Sequence, residues 1–452
     1  MPELSVPWGR NELRVVLPEH WQLQQVAQSS LPQARENWPD ELAMLLSQSG
    51  GEINLGQLLA ARRGGKVALV VEDGTRHSPL ARILEVVMRE ILHARIGEQQ
   101  VEVVFASGMH PPVTVEQART KLGPLAASLR WRSNACQDKS AYVRIGEAGK
   151  VEVWLDRGVA AADLRIVISS VSPHLQAGFG GGHKMLVPGC ARIDTIRSLH
   201  RLGVGRDFRP LVGTDAAGNP MRTAIDAAGD LADRHYGRSY GVQYVLDEND
   251  SPAFIAVGEI RPSQQMLAKR CSVACGVLTG APADVVLVNA HPRDNDLWQS
   301  FKCIANTQWA ARPGGVIICL SRCEMGTYGM KVPPWPLSPA ATRRFVRLLG
   351  PVAIGSLLTR LVPSLAGDAA FFVRLALQAI YRNPVLVVSP ALHAAVGKFP
   401  GLTILPTVEQ AFAVAEKILG GGTQRVVAFP AGGTTYPILS SPTAPAAGEA
   451  GK

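Results

Sequence analysis

The stretch from residue 164 to residue 184 reads LRIVISSVSPHLQAGFGGGHK. Its first part, Ile166-Val167-Ile168, is apolar and β-branched, which predicts a buried strand. The strand leads to Ser172-Pro173-His174 and then to the run Gly178-Phe179-Gly180-Gly181-Gly182, which ends at His183-Lys184. Glycine permits positive φ and lets the backbone approach a ligand closely. A buried strand followed by such a loop is typical of an α/β protein with a ligand site at the strand end.

Lys184 has several interpretations. A lysine directly after a glycine loop can clamp a phosphate, clamp another anion or serve as a covalent attachment point. The alternative is a glycine-rich turn with a solvated lysine. The nearby His174 and a second polar cluster at residues 73–79 favour a functional site.

The same order of strand, turn and helix recurs along the chain. In the first half we predict strands at 67–71, 101–105 and 164–169, and helices at 80–93, after Thr114 and around His200, with Thr114 and Asp194 as N-caps. In the second half we predict strands at 285–288, 315–318, 385–388 and 426–429 and a helix at 408–419. This alternation predicts an α/β protein with mostly parallel sheets.

The length of 452 residues fits two α/β domains. The pair Gly280 and Pro282 lies in a stretch of small residues, and we place the domains at 1–270 and 283–438 on either side of it. Residues 439–452 are of low complexity and are predicted to be a disordered tail.

The composition restricts the class of partner. Hydrophobic residues make up 46% of the chain and the formal net charge is +9, which favours a globular protein with an anionic partner. No basic run is interleaved with aromatic residues, so nucleic-acid binding is not expected. No secretory signal and no uninterrupted apolar span is present, so we expect a cytoplasmic protein that does not insert into a membrane.

The seven cysteines are scattered and odd in number, which fits a reducing compartment. Cys271 and Cys275 are spaced CxxxC, and so are Cys319 and Cys323. This is not the common zinc spacing, and we interpret the cysteines as mostly buried small hydrophobic residues, with a structural zinc site as the alternative.

Unusual polar residues gather where predicted strands end. They are Asp73, Thr75, Arg76, His77, Ser107, His110, Ser172, His174 and Lys184. In open α/β sheets ligands lie at the carboxyl ends of the strands. Taken singly, Asp73 is an N-cap or a partner of a cofactor hydroxyl, and Arg76 forms an ion pair or holds a phosphate. His110 and His174 are solvated loop residues or an acid/base pair, and the spacing alone leaves His200 as a core or surface residue.

Common catalytic signatures are absent from the sequence. It contains no HExxH, no GxSxG and no full Walker motif, and no GxGxxG follows the first strand of the first half. A simple zinc or serine hydrolase and an ordinary nicotinamide dehydrogenase are therefore poorly supported.

The clusters together resemble the lactate racemase family, whose members carry a nickel-pincer nucleotide. The residues that carry the resemblance are Asp73-Gly74-Thr75-Arg76, Gly108-Met109-His110-Pro111, the run from Pro173-His174 through Gly181-Gly182-His183-Lys184 and Pro188-Gly189 to His200, Gln299-Ser300-Phe301-Lys302, Ser321-Arg322-Cys323-Glu324-Met325-Gly326 and Ala431-Gly432-Gly433-Thr434-Thr435-Tyr436-Pro437. Their order and spacing cover roughly residues 10–437.

The resemblance implies roles for residues in four of these groups. Lys184 is joined to the nucleotide through a thioamide beside Gly181 and Gly182, and His200 is the protein ligand of nickel. Asp73, Thr75 and Arg76 hold the ribose and phosphate. His110 and His174 exchange the substrate hydroxyl proton, and Gln299 and Lys302 of the second domain hold the carboxylate. An active-site cleft between the domains closes over the substrate.

Three positions depart from the family pattern. Proline commonly follows Thr-Arg, whereas this chain has His77-Ser78-Pro79. Arginine commonly follows the catalytic histidine, whereas this chain has Pro111. Members that act on lactate carry a tryptophan where this chain reads Asp368-Ala369-Ala370-Phe371-Phe372. These departures argue against lactate itself as the substrate. His77, Arg293 and the positive net charge suit a larger or doubly acidic substrate, such as malate or a sugar acid.

The resulting expectation is a racemase or epimerase of a 2-hydroxy acid that depends on cofactor-maturation enzymes. Two alternatives remain. One is a hydride-transfer oxidoreductase that releases the 2-oxo acid, and the other is a nickel or cofactor carrier that does no turnover.

Overall fold

The structure is a computed structural model, and it describes residues 2–48, 54–62, 64–203, 209–235, 237–327, 337–362, 369–396 and 399–439. The strands are β1 (Glu3–Trp8), β2 (Asn11–Val16), β3 (Trp21–Val26), β4 (Val67–Val71), β5 (Val101–Phe105), β6 (Arg130–Ser133), β7 (Tyr142–Ala148), β8 (Val151–Asp156), β9 (Leu164–Ser170), β10 (Pro173–His174), β11 (Gly178–Phe179), β12 (Arg238–Leu246), β13 (Pro252–Gly258), β14 (Gly276–Thr279), β15 (Ala283–Asn289), β16 (Ala311–Leu320), β17 (Val385–Val388), β18 (Leu402–Leu405), β19 (Gln424–Phe429) and β20 (Tyr436–Leu439). The helices are α1 (Trp38–Ser47), α2 (Leu55–Ala60), α3 (Leu80–His93), α4 (Val115–Leu122), α5 (Leu125–Ser128), α6 (Arg157–Ala160), α7 (Ile193–Leu202), α8 (Pro220–His235), α9 (Ile260–Cys275), α10 (Leu297–Thr307), α11 (Pro339–Leu349), α12 (Pro351–Leu361), α13 (Ala369–Arg382), α14 (Pro390–Val396) and α15 (Val408–Leu419).

The chain divides into two compact units. Unit 1 comprises Met1–Ser30, Gly205–Pro210 and Val273–Lys452, and unit 2 comprises Leu31–Val204 and Leu211–Ser272. Residues 2–30 therefore group with the C-terminal half, whereas the sequence analysis assigns them to the N-terminal domain. The reason is that β3 pairs in parallel with β19, a contact between distant parts of the chain that local patterns do not reveal.

Unit 2 is built on a six-stranded sheet of order β13-β12-β9-β4-β5-β6. All pairs are parallel except that of β12 with β13. Alternate residues of β4 enter different cores: Val67, Leu69 and Val71 pack in one, and Ala68 and Val70 pack in the other. Because both faces of the sheet are covered, its central strands are apolar throughout, as expected of a parallel sheet.

Unit 1 contains a second six-stranded sheet, of order β18-β17-β16-β15-β19-β3, and all of its pairs are parallel. The predicted α/β class with mostly parallel sheets is confirmed. No helix among the described residues is long and apolar enough to cross a membrane.

Several local predictions can be compared with the elements. The helices α3 and α15 and the strand β17 have the predicted bounds, and Thr114 caps α4 by accepting from the main-chain N–H of Gln117. The prediction that Asp194 caps α7 is wrong. Helix α7 begins at Ile193 with Arg192 at the N-cap position, and Asp194 lies in the first turn, 3.0 Å from Arg192 Nε.

Two other predictions concern the C-terminal half. Leu439 closes β20, and the rest of the predicted tail, residues 440–452, lies outside the described residues. Helix α13 begins at Ala369, while Asp368 and the side chains of residues 369–372 lie outside the described part of the structure. All seven cysteines lie among the described residues and are buried, as predicted, and none of them forms a disulfide there.

Candidate active site

The order of strands in unit 2 points to one place for a ligand. The chain runs outward from β4 through β5 to β6 and then returns to β9 on the other side of β4. Strand order therefore reverses between β4 and β9, and ligands of open parallel sheets bind outside the carboxyl ends of the strands at such a switch point. The loop after β4 holds the 73–79 cluster, and the loop after β9 leads to Lys184.

Asp73 organises the loop after β4. Its Oδ1 accepts from the main-chain N–H of Thr75 at 2.9 Å and from the Thr75 hydroxyl at 2.6 Å, and its Oδ2 lies 2.6 Å from His110 Nδ1. Burial by itself raises the pKa of Asp73, but the bonds to His110 and Thr75 and the charges of His110 and Arg76 outweigh it. The pKa of Asp73 is therefore well below its usual range, and the carboxylate is ionised at neutral pH.

His110 comes from the loop after β5. Its main-chain N–H donates to the carbonyl of the buried Ser107 at 2.8 Å, and Pro111 follows it. The imidazole is 48% exposed, whereas the Asp73 carboxylate is 8% exposed. His110 is thus anchored at Nδ1 while the rest of its ring is accessible.

Glu72 is a buried carboxylate that the sequence analysis does not single out. Its Oε1 accepts from the main-chain N–H of Ser170 at 2.7 Å and from the Ser170 hydroxyl, and its Oε2 accepts from the Tyr244 hydroxyl at 3.0 Å. Burial and the Glu72 charge raise the pKa of Tyr244 well above its usual value. The bonds of Glu72 tie the loop after β4 to β9 and β12. The sequence offered one signal for Glu72, namely that this acidic residue directly follows the apolar strand β4.

The glycine loop has no room for side chains. Strands β10 and β11 form a short antiparallel pair, and Gly181 and Gly182 follow with φ of +69° and +66°. A Cβ at Gly182 would lie 2.8 Å from Gln264 Cγ. The Gly182 N–H donates to Gln243 Oε1 at 2.7 Å. These contacts require glycine at both positions and hold the loop in one conformation.

His174 is fixed by the backbone of the same loop. Its Nδ1 accepts from the main-chain N–H of Gln176 at 3.2 Å and of Ala177 at 3.0 Å. The Gln176 side chain in turn donates to the main-chain carbonyl of His200 at 3.2 Å. One residue therefore connects the loop that carries His174 with helix α7, which carries His200.

Lys184 has the altered acidity that the loop position suggests. Burial, followed by the positive charges of Arg76 and Arg222, lowers the pKa of Lys184 to about 7, against the opposing effect of Asp73 and Glu72. A large fraction of this amine is therefore neutral, and hence nucleophilic, at neutral pH.

Arg222, on α8, is a site residue that sequence reasoning missed. It is buried, and it donates to the main-chain carbonyls of Ala177 at 3.3 Å and of Phe179. It thus braces the glycine loop while its charge acts on Lys184. No motif marks it in the sequence, because its role arises from the packing of a distant helix.

Two further side chains have structural roles near the loops. Lys121 on α4 donates to the main-chain carbonyl of Arg76, and burial lowers the pKa of Lys121. His183 is buried against α8, where a Cβ at Gly229 would lie 2.2 Å from its Cγ. Lys121 therefore supports the Arg76 loop, and His183 packs away from solvent.

Gln299 and Lys302 belong to unit 1. Asp296 caps α10 by accepting from the Gln299 main-chain N–H at 2.8 Å. One turn along, Lys302 Nζ donates to Gln299 Oε1 at 3.0 Å. The two side chains predicted to hold a carboxylate are therefore neighbours on one helix face.

Known proteins match this chain in sequence. Residues 8–208 match the family described as the lactate racemase N-terminal domain. The lactate racemase of Thermoanaerobacterium thermosaccharolyticum is 24% identical over 340 residues, which are 73% of this chain and 76% of that protein. The lactate racemase of Lactiplantibacillus plantarum is 25% identical over 281 residues, which are 60% of this chain and 63% of that protein.

Solved structures share the fold. The lactate racemase apoprotein of Thermoanaerobacterium thermosaccharolyticum superposes with a TM-score of 0.80 at 20% identity and covers 97% of this chain and 100% of its own. A protein from Thermotoga maritima gives a TM-score of 0.62 at 17% identity, over 91% of this chain and 100% of its own. The chain therefore matches the lactate racemase N-terminal domain over residues 8–208, is similar in sequence to two lactate racemases, and shares the fold of one of them.

Proposed function

We propose that this protein is an isomerase that racemises or epimerises a 2-hydroxy acid with the help of a nickel-pincer nucleotide. The observation that carries the proposal is the Lys184 amine, whose pKa is about 7, at the end of a closed glycine loop at the switch point of unit 2. An enzyme that attaches a cofactor through lysine needs a neutral amine in such a place. The names of the two relatives support an isomerase acting on hydroxy acids.

The residues present fit the nucleotide. Gly181 and Gly182 leave the loop without side chains beside Lys184, Arg76 offers a cation to a phosphate, and His200 offers an imidazole, which suits nickel. In the part of the chain that the structure describes, no three His, Cys, Asp or Glu side chains group as a metal site. A nickel ion here would be held by His200 together with the nucleotide. When bound, the nucleotide supplies an acceptor and donor of hydride.

The protein's own groups handle the proton and the carboxylate. His110 and His174 are proposed to take the substrate hydroxyl proton and return it, since both imidazoles come from strand-end segments of unit 2 and histidine is the side chain most often used for general acid–base catalysis. Gln299 and Lys302 are proposed to hold the carboxylate, because an amide and an ammonium lie side by side on α10.

The substrate is proposed to be larger or more acidic than lactate. His77 and Pro111 stand where relatives commonly carry proline and arginine, and the net charge of +9 favours anions. The panel of candidate substrates therefore consists of malate-like acids and sugar acids, with lactate as the reference compound.

The first experiment tests whether the nucleotide becomes covalently attached to the protein. The protein is produced together with the cofactor-maturation enzymes, and its denatured intact mass is measured beside that of Lys184→Ala. We expect a cofactor-sized increment on the wild type that is missing from the variant. No increment, in cells where a known relative loads, would overturn the covalent assignment, and Lys184 would then be an anion clamp.

The second experiment tests turnover of the loaded protein. Single enantiomers or epimers from the panel are incubated with it, and products are resolved by chiral chromatography. We expect inversion at C2 that is lost in His110→Ala/His174→Ala while the mass increment remains. Accumulation of a 2-oxo acid with an external electron acceptor would instead identify an oxidoreductase, and loading without any turnover would identify a carrier.

A further inference from the structure

Helices α11 and α12 of unit 1 follow each other directly, because Gly350 is the only residue between them. Both helices are anchored on α13. On α12 a Cβ at Gly355 would lie 3.1 Å from Arg374 Cγ, so the two helices approach closely at this glycine. On α11 the Arg343 guanidinium donates to the main-chain carbonyl of Ile380 at 3.1 Å. The two helices therefore have an inner side that packs on α13 and an outer side.

The outer side exposes large apolar residues. Leu348 on α11 is 81% exposed, and Leu361 on α12 is 69% exposed. Four more large apolar side chains of the two helices are also exposed, namely Phe345, Leu349, Val352 and Leu357. Single exposed apolar residues are normal on a protein surface, whereas a group of them on consecutive helices marks a surface that contacts another body.

The charged residues of the two helices are all basic. Residues 337–362 contain four arginines and neither Asp nor Glu. Arg344, Arg347 and Arg360 are exposed, and no carboxylate in the described part of the chain pairs with any of the three. Arg344 lies one helical turn from Leu348, so it shares a face with that leucine. These three arginines and the six exposed apolar side chains form the α11–α12 face.

Charge distinguishes between the possible occupants of the α11–α12 face. A second copy of the chain, docked about a two-fold axis, would bring the arginines of both copies into one interface without a carboxylate from either face. Like charges oppose such a contact, whereas an anionic partner has the complementary charge. Helices that lie in a lipid headgroup layer combine basic residues with leucine and phenylalanine in this way, and anionic lipids attract their arginines.

We propose that the α11–α12 face is a docking surface for an anionic phospholipid membrane. The exposed leucines and Phe345 enter the boundary between headgroups and acyl chains, and the three arginines contact lipid phosphates. Each helix has 11 residues, about half of what a bilayer span requires, so both lie along the membrane surface. This contact was not expected from the sequence, because only the fold defines which apolar residues are exposed. It is independent of the proposed function.

Flotation of the full chain with phospholipid vesicles tests the proposal. We expect binding to mixed vesicles of phosphatidylglycerol and phosphatidylcholine, no binding to phosphatidylcholine alone, and release as the salt concentration rises. Leu348→Ser/Leu361→Ser should weaken binding by at least about tenfold, because two apolar side chains no longer leave water. Leu278→Ser is the matched control: Leu278 is 64% exposed on β14, and its replacement should leave binding unchanged.

The contribution of charge is tested with two triple variants of equal net charge. Arg344→Gln/Arg347→Gln/Arg360→Gln should weaken binding by on the order of 100-fold, roughly fivefold for each arginine at the membrane surface. The control replaces three exposed arginines of unit 2, in Arg89→Gln/Arg119→Gln/Arg234→Gln, and should retain most of the binding. Since every substituted side chain is exposed, all variants should keep the thermal unfolding midpoint of the wild type.

Three outcomes would overturn the proposal. The first is a failure to bind phosphatidylglycerol vesicles, or equal weakening by the two arginine triples. The second is a lipid-free dimer in sedimentation velocity that Leu348→Ser/Leu361→Ser dissociates, which would assign the α11–α12 face to a second copy of the chain. The third is retention on immobilised polyglutamate without binding to vesicles, which would assign it to an acidic protein segment.

Discussion

Both units contain a six-stranded, mostly parallel sheet, but the contacts made by the loops at the switch point differ between them. In unit 1 the chain runs outward from β15 through β16 and β17 to β18 and returns to β19 on the other side of β15. Strand order thus reverses between β15 and β19, as it does between β4 and β9 in unit 2. The loop after β15 holds His291, and the loop after β19 holds Gly432 and Gly433.

In unit 1 the two loops are joined directly, main chain to main chain. The N–H of Gly432 donates to the carbonyl of Asn289 at 2.8 Å, and that of Gly433 donates to the carbonyl of His291 at 3.0 Å. A Cβ at Gly432 would lie 2.3 Å from Val288 Cγ2. The glycines here serve close packing.

The charges in unit 1 are also paired. Asp294, after β15, is 1% exposed, and Arg322 approaches it with Nε at 2.6 Å and Nη2 at 3.2 Å. In unit 2 the Glu72 side chain bridges the loop after β4 and the end of β9, and burial together with the charges of Arg76 and Arg222 lowers the pKa of Lys184 to about 7. A switch point therefore gives room for a site, and the balance of charge there determines whether the site is reactive or structural.

The largest effect is expected for two arginines, Arg322 of unit 1, which contacts Asp294 after β15, and Arg76 of unit 2, which lies after β4. Arg322→Ala should lower the free energy of unfolding by about 3 kcal/mol, because it removes the arginine partner of the buried Asp294 carboxyl group. Arg76→Ala should change stability by less than about 0.5 kcal/mol and should raise the pKa of Lys184, since the Arg76 charge lowers it. Urea denaturation of cofactor-free protein measures the stability changes, and losses of equal size would remove the distinction between the two sites.

A smaller effect is expected for a matched pair of glycines. Gly432→Ala should destabilise the protein by roughly 1–3 kcal/mol, because the new methyl meets Val288 at 2.3 Å and the Asn289 carbonyl at 3.1 Å. At Gly74 a Cβ would meet only the end of the Gln117 side chain, at 3.3 Å, which can move. Gly74→Ala should therefore cost less than about 0.5 kcal/mol. Thermal unfolding of both variants provides the comparison, and a larger loss at Gly74 would mean that the unit 2 loop is the more tightly packed.

Much of the fold could be predicted from sequence because the signals are local. The run Val67-Ala68-Leu69-Val70-Val71 is apolar throughout, which is typical of a strand buried on both faces, and the apolar residues of α3 recur at helical spacing. The type and the bounds of these two elements therefore followed from the hydrophobic pattern alone. The pairing of β3 with β19 could not be foreseen, because it joins residues some 400 positions apart. Nothing in the sequence of residues 2–30 indicates that β3 pairs with β19.

The candidate site was predicted only in part, for a related reason. The sequence predicted that four site residues lie at strand ends or beside glycines, because the neighbouring strands and glycines are recognisable. These residues are Asp73, His110, His174 and Lys184. The predicted roles of Asp73 and Thr75 toward the ribose stay predictions, while the structure adds a bond from Asp73 to His110. Glu72 and Arg222 act through burial and through partners on distant strands and helices, which only the folded chain defines.

The effect that is smallest per measured step, about 1 kcal/mol per pH unit, concerns pH and the lysines of the two units. The Lys184 amine has a pKa of about 7 in the folded protein, against 10.5 for an ordinary lysine. Between these values the unfolded chain binds one more proton than the folded protein. The free energy of unfolding therefore rises with pH through this window, by up to about 1 kcal/mol per pH unit, and the contribution levels off below pH 7.

Removing each lysine in turn tests this assignment. Lys184→Met should flatten the rise, because the amine that releases its proton on folding is gone. Lys302→Met, which removes an amine bonded to Gln299 in unit 1, should leave the rise in place. Urea denaturation of cofactor-free protein at several values between pH 7 and 9 gives the slopes. If Lys184→Met kept the wild-type slope, the amine would be an ordinary charged lysine, and the contrast between the reactive and the structural switch point would lose its main support.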